Sequence, residues 1–340
     1  MFTVAVDAMG SDSHPAPEVE GVVRFLREQP NARAILVGDE GCIRQELAHD
    51  DTATLPLEVI HTDECIGMTE HPVHAIRKKR KASMRLAMDL VKEGRAQGFI
   101  TAGNTGACMA LSKLLYGTCK GVDRPALATA FPTIKAPTIV IDVGANVDCK
   151  PLHLEQFAIM GHIYSKLIFG IDRPRVALLS IGEEEIKGNE LTKEVHQALK
   201  ASTLNFCGNV EGKDVFGGDV DVVICDGFTG NVALKITEGV IGALLYLIRA
   251  ELKRTMITKI GALLSRSAYQ RLKKKIDYSE YGGAPLLGVP YPVIIGHGRS
   301  NAHAIKNAIL FVRELHINKV PRRIEEEIGK FMREHQEQEV

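Results

Sequence analysis

The segment 180–239 begins SIGEEEIKGNELTKE (180–194), continues through an apolar stretch to GNVEGKDVFGGD (208–219), and ends VDVVICDGFTGNVALKITEG (220–239). Twice a run with the composition of a buried strand, 176–181 and 222–225, empties into a glycine-rich loop that opens a helix. Each such junction aims backbone N–H groups and the positive end of a helix at whatever lies above the sheet, an arrangement suited to an anion.

Outward from this segment the same alternation recurs. Residues 2–8 read as a buried strand, MGSDSHPAP supplies turn residues, and an amphipathic helix is expected over about 17–27. Strand-like runs at 34–37 and 57–61 continue the pattern, so the expected fold is α/β, a three-layer α/β/α arrangement around a largely parallel sheet, built as one large unit or as two lobes over 1–340. FITAGNTGACMALS (99–112) reads as strand, turn and helix, in which Asn104 and Thr105 between Gly103 and Gly106 offer backbone amides and side-chain hydrogen bonds to a ligand. Two short apolar strands are expected within 125–141, followed by DVGANVDCKP and a long helix from about 152. Asp142, Asn146 and Asp148 stand at a strand's carboxyl end, where open α/β sheets hold ligands. The same residue types also cap helices, and the sequence leaves both roles open.

The 42 basic and 42 acidic residues balance, so no whole-chain field favours nucleic acid. A local exception is the run Arg77, Lys78, Lys79, Arg80 and Lys81, beside a helix expected from Ser83; it is either a solvated loop or a dock for an acidic partner. Seven scattered cysteines without a C-x-x-C pair fit a reducing compartment. The start lacks the pattern of a leader, and no run of about 18 apolar residues is evident, so a cytoplasmic protein is expected. His71 and His74 lack a third ligand at convincing spacing, GNVEGKD is not a Walker loop, and GHGRSN fails G-x-G-x-x-G, so neither metal nor cofactor is expected. Cys108 and Cys225 lie in apolar surroundings typical of core cysteines.

Seven motifs in order, VAVDAMGSD (4–12), TAGNTGA (101–107), DVGAN (142–146), GEEEIKGNEL (182–191), DGFTGNVALK (226–235), YGGAPLLGV (281–289) and GHGRSNAHAIKNAI (296–309), resemble the bacterial phosphate acyltransferase of phospholipid synthesis, the PlsX family. The resemblance spans nearly the whole chain. It implies transfer of an acyl group from acyl-acyl carrier protein to inorganic phosphate. It also implies a fold similar to phosphotransacetylases and the isocitrate/isopropylmalate dehydrogenases, a homodimer, and a functional link to a membrane acyltransferase that consumes acyl phosphate. Phosphate is nucleophilic as its dianion, so no covalent triad is required, but the thioester oxygen needs donors as it becomes an oxyanion.

Joined to that resemblance, Lys187 is assigned to phosphate or the oxyanion, with a surface lysine balancing Glu183, Glu184 and Glu185 as the alternative. Asn231 is assigned to phosphate at a helix start, where it could equally be an N-cap. Asn104 and Asn146 are candidates of the same kind, and Thr105 and Asp142 complete the substrate set. His297 is a candidate proton donor to the leaving thiolate and Arg299 a phosphate ligand. A helical hairpin is expected over 239–279, its first arm GVIGALLYLIRAELKR packing on a partner subunit. In its second arm Met256, Ile260, Leu263 and Leu264 share a face, while Lys259, Arg266, Arg271, Lys273, Lys274 and Lys275 supply positive charge. This is the pattern of a helix resting on a membrane surface, or of one buried in a dimer. The rival functions are a phosphotransacetylase acting on short acyl-CoA and a noncatalytic membrane-associated scaffold.

Overall fold

The computed structural model of the chain describes residues 1–49, 51–276, 280 and 282–338, and the side chains of all of these but 273, 274 and 335–338. The expected end of the hairpin at Ser279, Tyr281 of the YGGAPLLGV motif, and the charges of Lys273 and Lys274 lie outside the described residues.

The first half of the chain comprises β1 (Phe2–Asp7), α1 (Ala16–Glu28), β2 (Ala32–Gly38), α2 (Glu40–Leu47), β3 (Leu57–His61), α3 (Pro72–Lys78), α4 (Ser83–Lys92), β4 (Gly98–Thr101) and α5 (Thr105–Leu115). The second half comprises β5 (Ala126–Phe131), β6 (Thr138–Ile141), α6 (Pro151–Phe169), β7 (Val176–Leu179), α7 (Glu190–Ala201), β8 (Phe206–Val210) and β9 (Val222–Ile224). There follow α8 (Gly227–Leu252), α9 (Met256–Leu264) and α10 (Arg266–Ile276), then β10 (Ala284–Leu287), β11 (Val293–Ile295), α11 (Ala302–Ile317) and α12 (Val320–Gln338).

All eleven strands join one sheet in the order β3-β2-β1-β4-β11-β10-β5-β6-β9-β7-β8. Neighbours run parallel except at β11–β10, β10–β5 and β5–β6, so β6 to β9 point opposite to β1 to β4 and β11. Their stagger places the site. Thr101 pairs with Ile295 and Ile295 with Ala284, while Leu286 pairs with Leu127 and Ala128 with Ile141. Counting along β10 and β5, the carboxyl ends of β4 and β11 come within about one residue, roughly 3 Å, of the level at which β6 and β9 end. The loops of both halves therefore start from the middle of the sheet.

The strands are apolar on both faces because helices cover both. Val4 and Val6 pack with Val22 and Phe25 of α1 and Ile305 and Ile309 of α11; further along, Ile139, Ile141, Val222 and Ile224 meet Phe157, Met160 and Tyr164 of α6. On the opposite face Ala5, Ile35 and Val37 join Met84 and Met88 of α4 and Leu111 of α5.

Four expectations need correction. The basic run does not simply precede a helix, because α3 takes up Arg77 and Lys78 in its last turn. The first hairpin arm does not begin at Gly239; α8 is one 26-residue helix from Gly227, of which only Gly227 and Gly230 are buried. Against the expectation that no apolar run of about 18 residues is evident, a window of 18 residues in α8, with no more than two charges, reaches a mean hydropathy of 1.5. The second arm is two helices, α9 and α10, rather than one.

Candidate active site

The floor of the site is the loop after β6. Asp142, fully buried, accepts hydrogen bonds from the N–H groups of Leu127 (3.0 Å), Gly144 (3.1 Å), Ala145 (2.9 Å) and Asn146 (2.7 Å), and from Asn146 Nδ2 (2.9 Å). Burial pushes its carboxyl above the usual range while these donors pull it back down. Asn146 Nδ2 also donates to the Pro125 carbonyl at 2.8 Å. Of the two roles left open by the sequence, the structure shows the structural one: both Asp142 oxygens and Asn146 Nδ2 are committed to shaping the loop. The loop in turn receives α8. The Gly227 N–H donates to the Asn146 carbonyl at 2.7 Å, and a Cβ on Gly230 would lie 1.9 Å from the Asp142 carbonyl oxygen. Gly144, at φ 136°, leaves room for Asn231, whose Nδ2 donates to the Val143 carbonyl at 3.1 Å.

Asn231 is not an N-cap. Asp226 caps α8, accepting from the N–H and hydroxyl of Thr229, both at 2.8 Å, which places Asn231 in the second turn with its side chain exposed. Four residues on, Lys235 shares its flank of the helix and pairs with Glu238 at 2.9 Å. These turns face the loop after β11. Burial lowers the pKa of His297, with Glu238 opposing and Lys235 and Arg299 reinforcing the shift. His297 Nδ1 accepts the Arg299 N–H at 3.1 Å, so the neutral ring carries its proton on Nε2. In that form Nε2–H can donate a hydrogen bond to an anion. Lys235 was missed in the sequence; its spacing of four from Asn231 was the available signal.

Asn104 takes the capping role, the alternative weighed beside ligand binding. It caps α5 by accepting the Ala107 N–H (3.0 Å), and its Nδ2 donates to the carbonyls of Gly67 (3.2 Å), Met68 (3.1 Å) and Glu70 (3.0 Å). Thr105 is the first residue of that helix and is half-buried. Lys187 is exposed and forms no ion pair with Glu183, Glu184 or Glu185 among the described residues; Glu185 pairs with Lys200 at 2.8 Å instead. Nearby, the Ser180 hydroxyl is buried without a hydrogen-bond partner among the described residues. Asn189 caps α7 and, with Val147, Asp148, Leu191, Asp226 and Phe228, lines a cleft of about 350 Å³.

In the basic run, Lys79 is spoken for: its ammonium binds the Cys65 carbonyl at 2.7 Å and Glu70, pinning the loop that Asn104 holds from the other side. Arg77, Lys78, Arg80 and Lys81 are exposed, and Arg299 is exposed beside His297. Burial pushes the Cys108 thiol up to about 12 and Cys225 well above its ordinary range, so neither supplies a thiolate at neutral pH. No group of three potential metal ligands gathers among the described residues.

The sequence matches, over residues 2–323, a protein family described as fatty acid synthesis protein. A phosphate acyltransferase from Geotalea uraniireducens is 50% identical over 325 residues, covering 96% of this chain and 94% of the relative. One from Acidobacterium capsulatum is 50% identical over 312 residues, 92% of each. The chain belongs to the phosphate acyltransferase family. It is an acyltransferase enzyme, and the resemblance drawn from its seven motifs holds. Among solved structures, a phosphotransacetylase from Streptococcus pyogenes superposes with a TM-score of 0.63 at 17% identity, covering 93% of this chain and 94% of its own. A branched-chain phosphotransacylase from Enterococcus faecalis gives 0.55 at 15% identity, covering 93% and 99%. At such identities these structures share the α/β fold with this phosphate acyltransferase and say nothing of its substrate.

Proposed function

We propose that the chain moves a fatty acyl group from acyl-acyl carrier protein to inorganic phosphate, releasing acyl phosphate and the free carrier thiol. The observation that carries this reading is half identity to phosphate acyltransferases across 96% of the chain. The meeting of the glycine-rich loops at mid-sheet supports it. A phosphate oxygen attacks the thioester carbonyl carbon, the new C–O bond forms, and the C–S electron pair leaves on sulfur as thiolate, which becomes thiol by taking up, through water, the proton that the hydrogen phosphate gives up. Phosphate is held between the Asn231–Lys235 flank of α8 and the His297–Arg299 loop, with Nε2–H of His297 donating. Lys187, exposed and unpaired by its glutamates, supplies charge to the oxyanion; one such donor is worth on the order of 100-fold in rate.

The carrier is acidic in this reading and docks on Arg77, Lys78, Arg80 and Lys81. Two copies of the chain pair through α8, whose Val240, Leu244 and Leu247 are exposed. The α9 tip, with Ile260, Leu263 and Leu264 exposed beside Lys259 and Arg266, rests on the inner face of the membrane, where a membrane acyltransferase takes the acyl phosphate. Flotation with anionic vesicles tests the last point: wild type rises, Ile260→Glu with Leu263→Glu stays down, and equal flotation of the two removes the tip from the account. For the reaction itself, phosphate and palmitoyl-carrier should yield free thiol and palmitoyl phosphate in equal amounts. Turnover confined to acetyl-CoA would make the chain a short-chain phosphotransacetylase.

A further inference from the structure

Outside the projecting helices, the large apolar side chains left exposed in the second half of the chain are not scattered. Val147, Ile181, Ile186, Phe228, Val232 and Ile236 are exposed, Val147 and Phe228 each by 60%, and all sit on the loops or the helix that build the site; Ile134 and Ile317 are the exceptions. Single exposed apolar residues need no explanation, but a set on neighbouring loops and one helix, two of them lining one cleft, does. On α8 the set is ordered. Residues four apart form a row along a helix, so Phe228, Val232 and Ile236 make one row and Asn231 and Lys235 the adjacent one. The apolar row starts in the cleft, where Phe228 stands with Val147 and Leu191. The cleft also holds the carboxylates of Asp148 and Asp226, which would repel an anion and so exclude it as a second phosphate position.

We infer that the row Phe228–Val232–Ile236, with Val147 and Leu191 at its head, is the track that holds the fatty acyl chain and sets its preferred length. This rests on the proposed reaction. The two rows match the two ends of the acyl phosphate: a polar flank of amide and ammonium for the phosphoryl group, and an apolar flank beside it for the hydrocarbon. A second copy of the chain would cover the same helix further on, from Val240, leaving the first three turns to the substrate. An acetyl group reaches none of this row, whereas each methylene laid on it gains roughly fourfold in affinity when fully buried.

The test measures kcat/KM for acyl-carrier substrates of 4 to 16 carbons, all on one carrier so that docking cancels, with wild type, Phe228→Ser, Val232→Ser and Val147→Ser. Wild type should gain with chain length until the row is filled. The variants should match it on the shortest chains, lose roughly 10-fold or more on the longest, and keep the wild-type KM for phosphate. Light scattering should show them in the wild-type oligomeric state. Variant profiles parallel to wild type overturn the track, as does a wild type indifferent to chain length. Either result leaves the reaction standing if palmitoyl phosphate is still made, whereas wild type that uses only acetyl-CoA fails the reaction itself.

Discussion

TAGNTGA (101–107) and DGFTGNVALK (226–235) are the same sentence to a reader of sequence: a buried parallel strand, a glycine turn, an asparagine, a helix. In the folded chain they differ. Asn104 caps its helix and spends its amide on three carbonyls of the 67–70 loop, whereas in the second motif Asp226 takes the capping role and Asn231 moves into the second turn, exposed and held by one hydrogen bond to Val143. A glycine-asparagine junction becomes a ligand site only where its neighbours leave the side chain uncommitted.

The sharpest way to break this comparison is to truncate both asparagines. Asn231→Ala and Lys187→Ala should each lower kcat on the order of 100-fold or more with unchanged melting temperature. Asn104→Ala should do the reverse. It loses a cap and leaves buried carbonyls unpaired, costing ~2–4 kcal/mol of stability, while the molecules that remain folded turn over at close to the wild-type rate. Equal kinetic losses at both positions would put Asn104 back on the substrate.

This contrast also marks how far the sequence could be read. The α/β alternation was legible because buried strands and amphipathic helices carry their own periods, and α1, β4, α5 and α6 lie close to where those periods place them. The stagger that brings the ends of β4 and β6 to one level was not, because it depends on β10 and β5, which pair across more than a hundred residues of sequence. For Asp142 and Asn146 the sequence left ligand and loop-builder open, since both call for the same side chains, and the hydrogen bonds show the second. The length of α8 was hidden by the charges of Lys235, Glu238, Arg249 and Glu251, which a solvent-facing helix tolerates.

A second, smaller test addresses what holds the first region in place. Glu18 is fully buried; one oxygen accepts the Ser11 N–H at 2.9 Å and the other has no partner among the described residues. Next to Ser11, Asp12 donates its N–H to the Gly298 carbonyl at 2.7 Å, so Glu18 supports the His297 loop indirectly. Burial raises its carboxyl from 4.5 to about 7. Within that window the folded chain keeps a proton that the unfolded chain has lost, so stability falls as pH rises and the penalty is complete above about 7. Glu18→Gln keeps an acceptor for Ser11 and removes the titration. It should be more stable than wild type by ~2–3 kcal/mol at pH 8, with the advantage gone below the unfolded pKa. Melting curves at pH 4 and pH 8 read the difference directly, and an equal shift at both would mean that Glu18 acts through packing rather than charge.

The smallest effect divides the basic run in the same way that the asparagines are divided. Lys79 binds Glu70 and the Cys65 carbonyl within the protein, while Arg77, Lys78 and Arg80 face solvent. Exposed charges steer an oppositely charged partner over about 10 Å at 0.1 M salt and contribute little to folding. Replacing Arg77, Lys78 and Arg80 by Glu should therefore raise KM for the acyl-carrier substrate several-fold at low salt. That difference should shrink as salt rises, with kcat and melting temperature unchanged. Lys79→Ala should leave KM alone and lower stability by ~1 kcal/mol, because the pair it breaks is only partly exposed and also anchors the loop that Asn104 reads. A triple variant with unaltered KM at low salt would move the dock to another basic face, of which the exposed Arg266 and Arg271 beyond α9 are the next to reverse.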